Sequence, residues 1–425
     1  MSAQLFEIFR KNLVVKDAEL ISISYKNITK CLNKHLHDYE SDNANCRQIG
    51  SYGRQSAIHG VSDLDMAFIL PQSFYSTYNS YSHNGQSKLL QKIKQVLLLR
   101  YPSTNIIADG QVVVIPFNKY RVEVLPVFIQ NDGSYTYPDS NSGGSWKVTN
   151  PIAEIKAFND LNNQTNRNLK HLCKMIRAWK NTHGVNISGF LIDTLCYKFF
   201  QTTTDYNTVS YSQYKFLIKD FFFFLISQSE TQTFWFAPGS NQKVYKSGNF
   251  HAKAKKALRR STEALSNSLE APYKWKLIFG HRFPVEFKEA QLSYTFARTE
   301  QFIEDLYPVD IQNELTINCR IENISNLLRS LIYASSPGDK FTIPKQRKLT
   351  FMIESTDVVN PYKILWKVRN IGTTAERLNK IRGQIEETNK NIKTETTEFE
   401  GSHLVECYLI KNNICVARDR ITVPI

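Results

Sequence analysis

Two aspartates separated by one residue begin the segment that most constrains this chain, GSYGRQSAIHGVSDLDMAFILP from Gly50 to Pro71. The apolar residues after Asp65 predict a strand. Because side chains alternate between the two faces of a strand, Asp63 and Asp65 are expected on one face. Adjacent carboxylates resist joint ionisation unless a cation lies between them, and Mg²⁺ is a hard ion that binds oxygen ligands and phosphate. The alternative is a solvated strand end beside a turn.

A Gly-Ser pair precedes the two aspartates. Gly50 lets the backbone approach a ligand closely, and Ser51 offers a hydroxyl near a predicted helix start, where free N–H groups attract phosphate. Together, the turn and the strand predict a site for a nucleoside triphosphate and its metal ions.

A third carboxylate belongs to a neighbouring predicted strand. Residues 111–129, QVVVIPFNKYRVEVLPVFI, predict two short strands that meet near residues 118–119. Glu123 lies in an apolar run, where an unpaired charge would be costly. Either Arg121 or another basic neighbour pairs with Glu123, or Glu123 completes a metal site with Asp63 and Asp65.

These segments carry a resemblance to a known superfamily. Gly-Ser followed by Asp-x-Asp resembles the signature of nucleotidyltransferases, and more narrowly of the bacterial cGAS/DncV-like (SMODS) members, relatives of the oligoadenylate synthetases. The run EVLPVF is similar to the third-carboxylate strand of that family, in which Asp is more usual than Glu. Ser56 stands where Thr is common, and Gln55 where Gly is common. The resemblance implies that Gly50, Ser51 and Ser56 bind nucleotide.

A basic helix supplies further candidates. In NRNLKHLCKMIRAWK, Lys170, Lys174 and Arg177 form a stripe beside an apolar face. A solvated basic face is the alternative. By resemblance, Arg177 stands where a Lys commonly meets the triphosphate, and Lys174 where an Arg is common. Ser188 matches a polar position near the nucleotide, and it is also suited to cap the next helix.

The composition indicates which partners the protein could bind and in which cellular compartment it is expected. The net charge of +14 attracts polyanions such as nucleotides or nucleic acid, although a simple contribution to solubility is the alternative. The seven cysteines have no regular spacing, which favours a protein of the reducing cytosol over one held by disulfides. The most apolar run, Phe216–Ile226, is interrupted by charges and is shorter than the ~20 residues of a membrane span. We therefore expect a cytoplasmic protein without a membrane partner.

The expected organisation is α+β in two blocks. Residues 1–285 form a polymerase-β-like nucleotidyltransferase core, with a mixed catalytic sheet at about 40–150 and a helical lobe at about 151–285; YKWKLIFGHRFP resembles the segment that closes such cores. A Gly- and Ser-rich loop is expected over 132–146. A linker helix is expected over 286–310, followed by a β-rich, sandwich-like domain over 311–425.

The last block resembles the adenylyl/guanylyl cyclase and SMODS C-terminal sensor (AGS-C) domain. The match is carried by WKVRNIG, Ala375, Arg382-Gly383, FEGSH and CVAR. A regulatory role is therefore expected, with an unidentified ligand or nucleic acid as its partner.

The resemblance implies an enzyme with two Mg²⁺ ions (Mn²⁺ as an alternative) held by Asp63, Asp65 and Glu123. Its substrates would be ATP- and GTP-type nucleotides, and its product a cyclic di- or trinucleotide that a separate effector binds in antiphage (CBASS) signalling. One alternative is synthesis of linear oligonucleotides, or modification of RNA, protein or a small molecule. Another is a non-catalytic sensor of nucleotides or nucleic acid.

Overall fold

The computed structural model describes residues 2–16, 18–60, 63–285, 300–334, 341–371, 373–398 and 400–425. Its contacts divide the chain into two compact units. The core unit comprises Met1–Ala178, Gly189–Lys246 and Ala254–Pro284, and the C-terminal unit comprises Trp179–Ser188, Ser247–Lys253 and Val285–Ile425.

The elements up to residue 284 are eleven α-helices and nine strands among the described residues, with most strands before Thr149 and most of the longer helices after it. The helices are α1 (Ser2–Asn12), α2 (Ala18–Leu36), α3 (Gly50–Gly53), α4 (Gln72–Asn79), α5 (Gly85–Arg100), α6 (Pro151–Gln164), α7 (Asn168–His183), α8 (Gly189–Thr202), α9 (Tyr214–Ser227), α10 (His251–Ser266) and α11 (Ala271–Phe279). The strands are β1 (Cys46–Gln48), β2 (Asp63–Ile69), β3 (Ile107–Asp109), β4 (Val112–Pro116), β5 (Arg121–Ile129), β6 (Tyr135–Asp139), β7 (Ser145–Thr149), β8 (Phe234–Phe236) and β9 (Lys243–Tyr245).

A mixed seven-stranded sheet forms the centre of the core unit. Its order is β1-β2-β5-β4-β3, and β6 pairs with both β5 and β7. Strands β2 and β5 are parallel, whereas the other pairs are antiparallel. Parallel neighbours need a crossover connection, and α4 and α5 lie within the one that joins β2 to β5.

Alternation along β2 and β5 separates an apolar face from an acidic one. Leu64, Met66 and Phe68 of β2 share a buried cluster with Val122 and Val124 of β5 and with apolar side chains of α2 and α5. The residues between them point to the opposite face because the side-chain period of a strand is two. That opposite face therefore carries Asp63, Asp65 and Glu123.

The C-terminal unit contains two antiparallel sheets. Its elements are α12 (Ile303–Leu306), β10 (Leu315–Ile321), α13 (Leu328–Ala334), β11 (Lys348–Thr356), β12 (Lys363–Arg369), α14 (Thr373–Arg377), β13 (Arg382–Glu387), β14 (Ile392–Thr396), β15 (Ser402–Lys411) and β16 (Ile414–Pro424). The sheet orders are β10-β11-β14 and β13-β12-β15-β16. One apolar cluster joins Ile317 and Phe351 of the first sheet to Trp366, Leu409 and Ala417 of the second, as in a β-sandwich.

Two local expectations have different outcomes. The loop expected over 132–146 is wrong, because Tyr135–Asp139 and Ser145–Thr149 pair as strands; the glycine- and serine-rich residues between them form only the connecting turn. Of the expected linker helix, residues 286–299 lie outside the described residues, and Ile303–Leu306 is a helix of four residues. Within the described part of the chain, none of the helices combines the length and apolar composition needed to cross a bilayer.

Candidate active site

The three predicted acids lie on adjacent parallel strands. In the pairing of β2 with β5, Asp63 is opposite Arg121 and Asp65 is opposite Glu123. About a fifth of each of the side chains of Asp63, Arg121 and Glu123 is exposed. The sheet therefore brings the acids together on a face that solutes can reach.

Arg121 lies between two of these acids. Its Nε is 2.6 Å from Asp63 Oδ1 and 2.9 Å from Glu123 Oε1, and its Nη2 donates a hydrogen bond to Asp63 Oδ2 at 3.1 Å. The guanidinium supplies the positive charge that closely spaced carboxylates require. Arg121 thus pairs with Glu123, which was one of the two alternatives that the sequence left open.

The Gly-Ser turn packs directly against the acidic strand. Gly50 has φ +59°, and a Cβ at this position would lie 1.8 Å from Asp65 Oδ2. The backbone N–H of Ile49 donates to the carbonyl of Asp65 at 3.0 Å. Only glycine fits this left-handed, crowded position. Ser51 follows in α3 and is buried.

The donor set fits a divalent cation chemically, since three carboxylates are hard oxygen ligands. Among the residues that the structure describes, no group of three or more His, Cys, Asp or Glu side chains is arranged to hold an ion. In this arrangement the guanidinium of Arg121 lies between Asp63 and Glu123. Holding a metal would require Arg121 to give up at least part of these contacts.

A second, fully buried network joins the segment after α3 to helices α7 and α8. The Asp193 carboxylate Oδ2 accepts from Arg177 Nη2 at 2.7 Å, from Arg54 Nε at 3.0 Å and from Ser56 Oγ at 2.7 Å. Arg177 Nη2 also donates to Ser56 Oγ at 3.1 Å. Two predicted nucleotide contacts, Ser56 and Arg177, therefore touch each other and are anchored by a buried acid.

Electrostatics keep this buried acid ionised. Burial alone would raise the pKa of Asp193, but the charges of Arg177 and Arg54 outweigh burial and lower it. Glu154 lies 3.6 Å from Arg54, and burial raises the pKa of Glu154. The network balances charges inside the core, which is the usual requirement for burying ions.

The basic stripe of α7 is not a uniformly solvated face. Lys170 is buried, and its Nζ donates to Gln55 Oε1 at 3.0 Å and to Asn159 Oδ1 at 2.7 Å. Lys174 lies between Lys170 and Arg177 on the helix and is half-buried, and it makes no hydrogen bond or ion pair with another described residue. Burial, and then the charge of Arg10, lowers the pKa of Lys174.

Ser188 directly precedes helix α8, the position that a capping serine would occupy. Sequence reasoning missed Arg54 and Asp193. A signal for Asp193 was present, because an acid within GFLIDTLCYKFF is a charge in an apolar helix and requires a buried partner.

The core unit has the mixed sheet and helices of the nucleotidyltransferase fold. Residues 1–162 match the model of the Second Messenger Oligonucleotide or Dinucleotide Synthetase (SMODS) domain, and residues 297–425 match that of the Adenylyl/Guanylyl and SMODS C-terminal sensor domain. The chain is therefore similar to the cGAS/DncV-like (SMODS) nucleotidyltransferases. The predicted resemblance, the α+β fold class and the enzyme class of an oligonucleotide synthase are confirmed. This family of enzymes generally uses divalent metals and nucleotide substrates.

Individual relatives are distant. A probable cyclic nucleotide synthase from Bacillus cereus strain VD146 is 20% identical over 328 residues, which cover 66% of this chain and 96% of that protein. The structure of Escherichia coli MS115-1 CdnC in complex with HORMA-deltaN has a TM-score of 0.50 at 13% identity, covering 67% of this chain and 99% of that one. Vibrio cholerae DncV cyclic AMP-GMP synthase gives a TM-score of 0.45 at 15% identity, with coverages of 67% and 87%.

Proposed function

We propose that this protein joins ATP- and GTP-type nucleotides into a cyclic di- or trinucleotide, with release of pyrophosphate. The observation that carries the proposal is the register of β2 and β5, which places Asp65 beside Glu123 and Asp63 beside Arg121, with Gly50 packed on Asp65. The family resemblance and this arrangement support the same chemistry.

Asp63, Asp65 and Glu123 are the residues that would hold two Mg²⁺ ions, with Mn²⁺ as a substitute. When bound, such ions activate an attacking ribose hydroxyl and stabilise triphosphate charge. The carboxylates orient the reacting groups. Glu123 would accept the proton of the hydroxyl that attacks the α-phosphorus, while the P–O bond to pyrophosphate breaks. Positioning and charge stabilisation supply most of the rate in such transfers.

Nucleotide binding is assigned to the turn and the basic helix. Gly50 and Ser51 lie beside the acids and would contact the β- and γ-phosphates. Lys174 is the better triphosphate ligand on α7, because it is a half-buried cation without an acidic partner among the described residues. Arg177 and Ser56 are already hydrogen-bonded to Asp193, and they would stabilise the structure around the nucleotide site. Ser188 would lie at the nucleotide end of α8.

The proposed product would act through a separate effector protein, as in antiphage signalling. The test is to incubate the purified protein with Mg²⁺ and all four labelled ribonucleoside triphosphates, and then with phosphatase. Compact, phosphatase-resistant products are expected. Phosphatase-sensitive products would instead indicate linear oligonucleotides, and label on a macromolecule would indicate transfer to RNA or protein. Absence of pyrophosphate release would exclude catalysis under these conditions and favour a binding protein.

A further inference from the structure

A cavity of about 450 Å³ lies between the two sheets of the C-terminal unit. Protein interiors are packed at the density of organic crystals, so a gap of this size between facing sheets is unusual. Small-molecule sites typically enclose about 300–1,000 Å³. The size of the cavity is therefore that of a ligand site.

The inner wall of the cavity is apolar and is built by both sheets. Its side chains come from β11, β12, β15, β16 and the residue after β16: Leu349, Phe351, Val368, Val405, Val423 and Ile425. All except Ile425 are buried. A wall of this kind binds an apolar molecular body through the hydrophobic effect.

The rim of the cavity is charged, and its charges are paired across the two sheets. Arg382 of β13 makes two hydrogen bonds with Glu395 of β14, at 2.6 and 3.1 Å, and so connects one sheet to the other. Lys380 Nζ lies 3.6 Å from Glu398 Oε2. Glu395 also lies 3.6 Å from Lys393 Nζ, and Lys393 in turn pairs with Glu386, so each of these charged side chains has an oppositely charged partner.

The backbone at the rim is strained. Arg382 has φ +61°, a left-handed conformation that is uncommon for a residue other than glycine. Residues held in such conformations cluster at ligand sites, where the surrounding structure enforces them. The two hydrogen bonds to Glu395 direct the guanidinium of Arg382 toward β14.

From these features we infer that the cavity binds a small molecule of zero net charge, with an apolar or aromatic body and a hydrogen-bonding end. A charged ligand would have to compete with the partner that each of these side chains already has, so its charge would gain little there. An uncharged ligand leaves the pairs intact and can hydrogen-bond to Asn370, which also lines the cavity. This inference does not rest on the proposed catalytic reaction.

The test uses the full-length protein without nucleotide and Nile red, an uncharged aromatic dye whose emission shifts to the blue in apolar sites. We expect one dye to bind per chain. Ile425→Trp enlarges a half-buried side chain of the cavity wall, next to the end of β16, and should weaken dye binding at least tenfold. Val423→Trp fills the inner wall and should do the same if the variant folds. Thr422→Trp, on the exposed outer face of β16, is the matched control and should bind like the wild type.

Two results would overturn the inference. If Ile425→Trp bound Nile red as tightly as Thr422→Trp, the dye would not occupy this cavity. If the anionic dye 1-anilinonaphthalene-8-sulfonate bound more tightly than Nile red and its binding were lost in Ile425→Trp, the cavity would be a site for anions. Circular dichroism of each variant distinguishes a blocked site from an unfolded domain.

Discussion

Arg121 Nε lies 2.6 Å from Asp63 Oδ1, on the strand face that also carries Asp65 and Glu123. The guanidinium therefore neutralises part of the carboxylate charge that metal ions would neutralise in the proposed reaction. We propose that divalent cations would balance the charge of this face in place of Arg121, by competing for the same oxygen atoms.

Arg121→Gln should increase the affinity of the nucleotide-free protein for Mn²⁺. Removing one positive charge about 4 Å from a cation site is worth about 1–4 kcal/mol at the effective dielectric constants of a protein surface, so a gain of about tenfold is a conservative expectation. Mn²⁺ binding is measured by electron paramagnetic resonance. Arg100→Gln, an exposed arginine on α5, is the control. An unchanged or weaker affinity in Arg121→Gln would show that the guanidinium does not compete with metal.

Lys174→Gln should raise the KM for nucleoside triphosphate with little change in thermal stability. A charge-assisted hydrogen bond contributes about 1.5–3 kcal/mol, which corresponds to about ten- to hundredfold in KM. Steady-state pyrophosphate release measures the effect. Lys156→Gln removes an exposed lysine that pairs with Asp160 on α6, and it should leave KM unchanged. Equal KM values for the two variants would remove Lys174 from the nucleotide site.

Asp193→Asn should destabilise the core unit by about 3–5 kcal/mol, because it leaves the buried guanidinium groups of Arg54 and Arg177 without their shared carboxylate. Urea unfolding measures the loss. The control is Asp160→Asn, which breaks an exposed pair and should cost about 0.5 kcal/mol or less. A cost below about 1 kcal/mol for Asp193→Asn would mean that the network is not a structural anchor.

The free energy of unfolding should decrease in mild acid because protonation of the buried His171 favours the unfolded state. Burial lowers the pKa of His171 to about 4, and its Nδ1 lies 2.7 Å from the Tyr214 hydroxyl. Because the unfolded state binds a proton near pH 6.5 and the folded state does not, this contribution is present above pH 6.5. It is lost as the pH falls toward 4, by up to about 3 kcal/mol.

His171→Gln retains a polar partner for Tyr214 without the titration. The difference in unfolding free energy between pH 7.5 and pH 5.0 should therefore be smaller in this variant than in the wild type. Urea unfolding at both pH values provides the comparison. An identical pH dependence would assign the acid sensitivity to other groups.

The sequence predicted the face that carries the three acids because a strand period of two leaves little choice once the apolar residues are buried. Asp63, Asp65 and Glu123 alternate with residues of the central cluster, and this pattern can be read locally. Five of the sandwich strands (β10, β11, β12, β15 and β16) were predicted for the same reason, whereas β13 and β14 were not. The β6–β7 hairpin was missed because turn-forming residues dominate its composition, whereas its pairing is decided by contact with β5.

The buried network could not be read in the same way. Arg54 and Asp193 are 139 positions apart and meet only in the folded core. Sequence spacing grouped Lys170, Lys174 and Arg177 as one stripe, but tertiary contacts assign them different partners. Their roles in nucleotide binding remain predictions.

The most direct test of the central claim is metal-dependent pyrophosphate release by the double variant Asp63→Ala/Asp65→Ala. The account predicts that this variant folds, with a melting temperature near that of the wild type, and releases no pyrophosphate above background at any Mg²⁺ concentration. The control Asp42→Ala/Asp160→Ala changes the net charge equally at two exposed positions and should retain full activity. Full product formation by Asp63→Ala/Asp65→Ala would contradict the assignment of the active site.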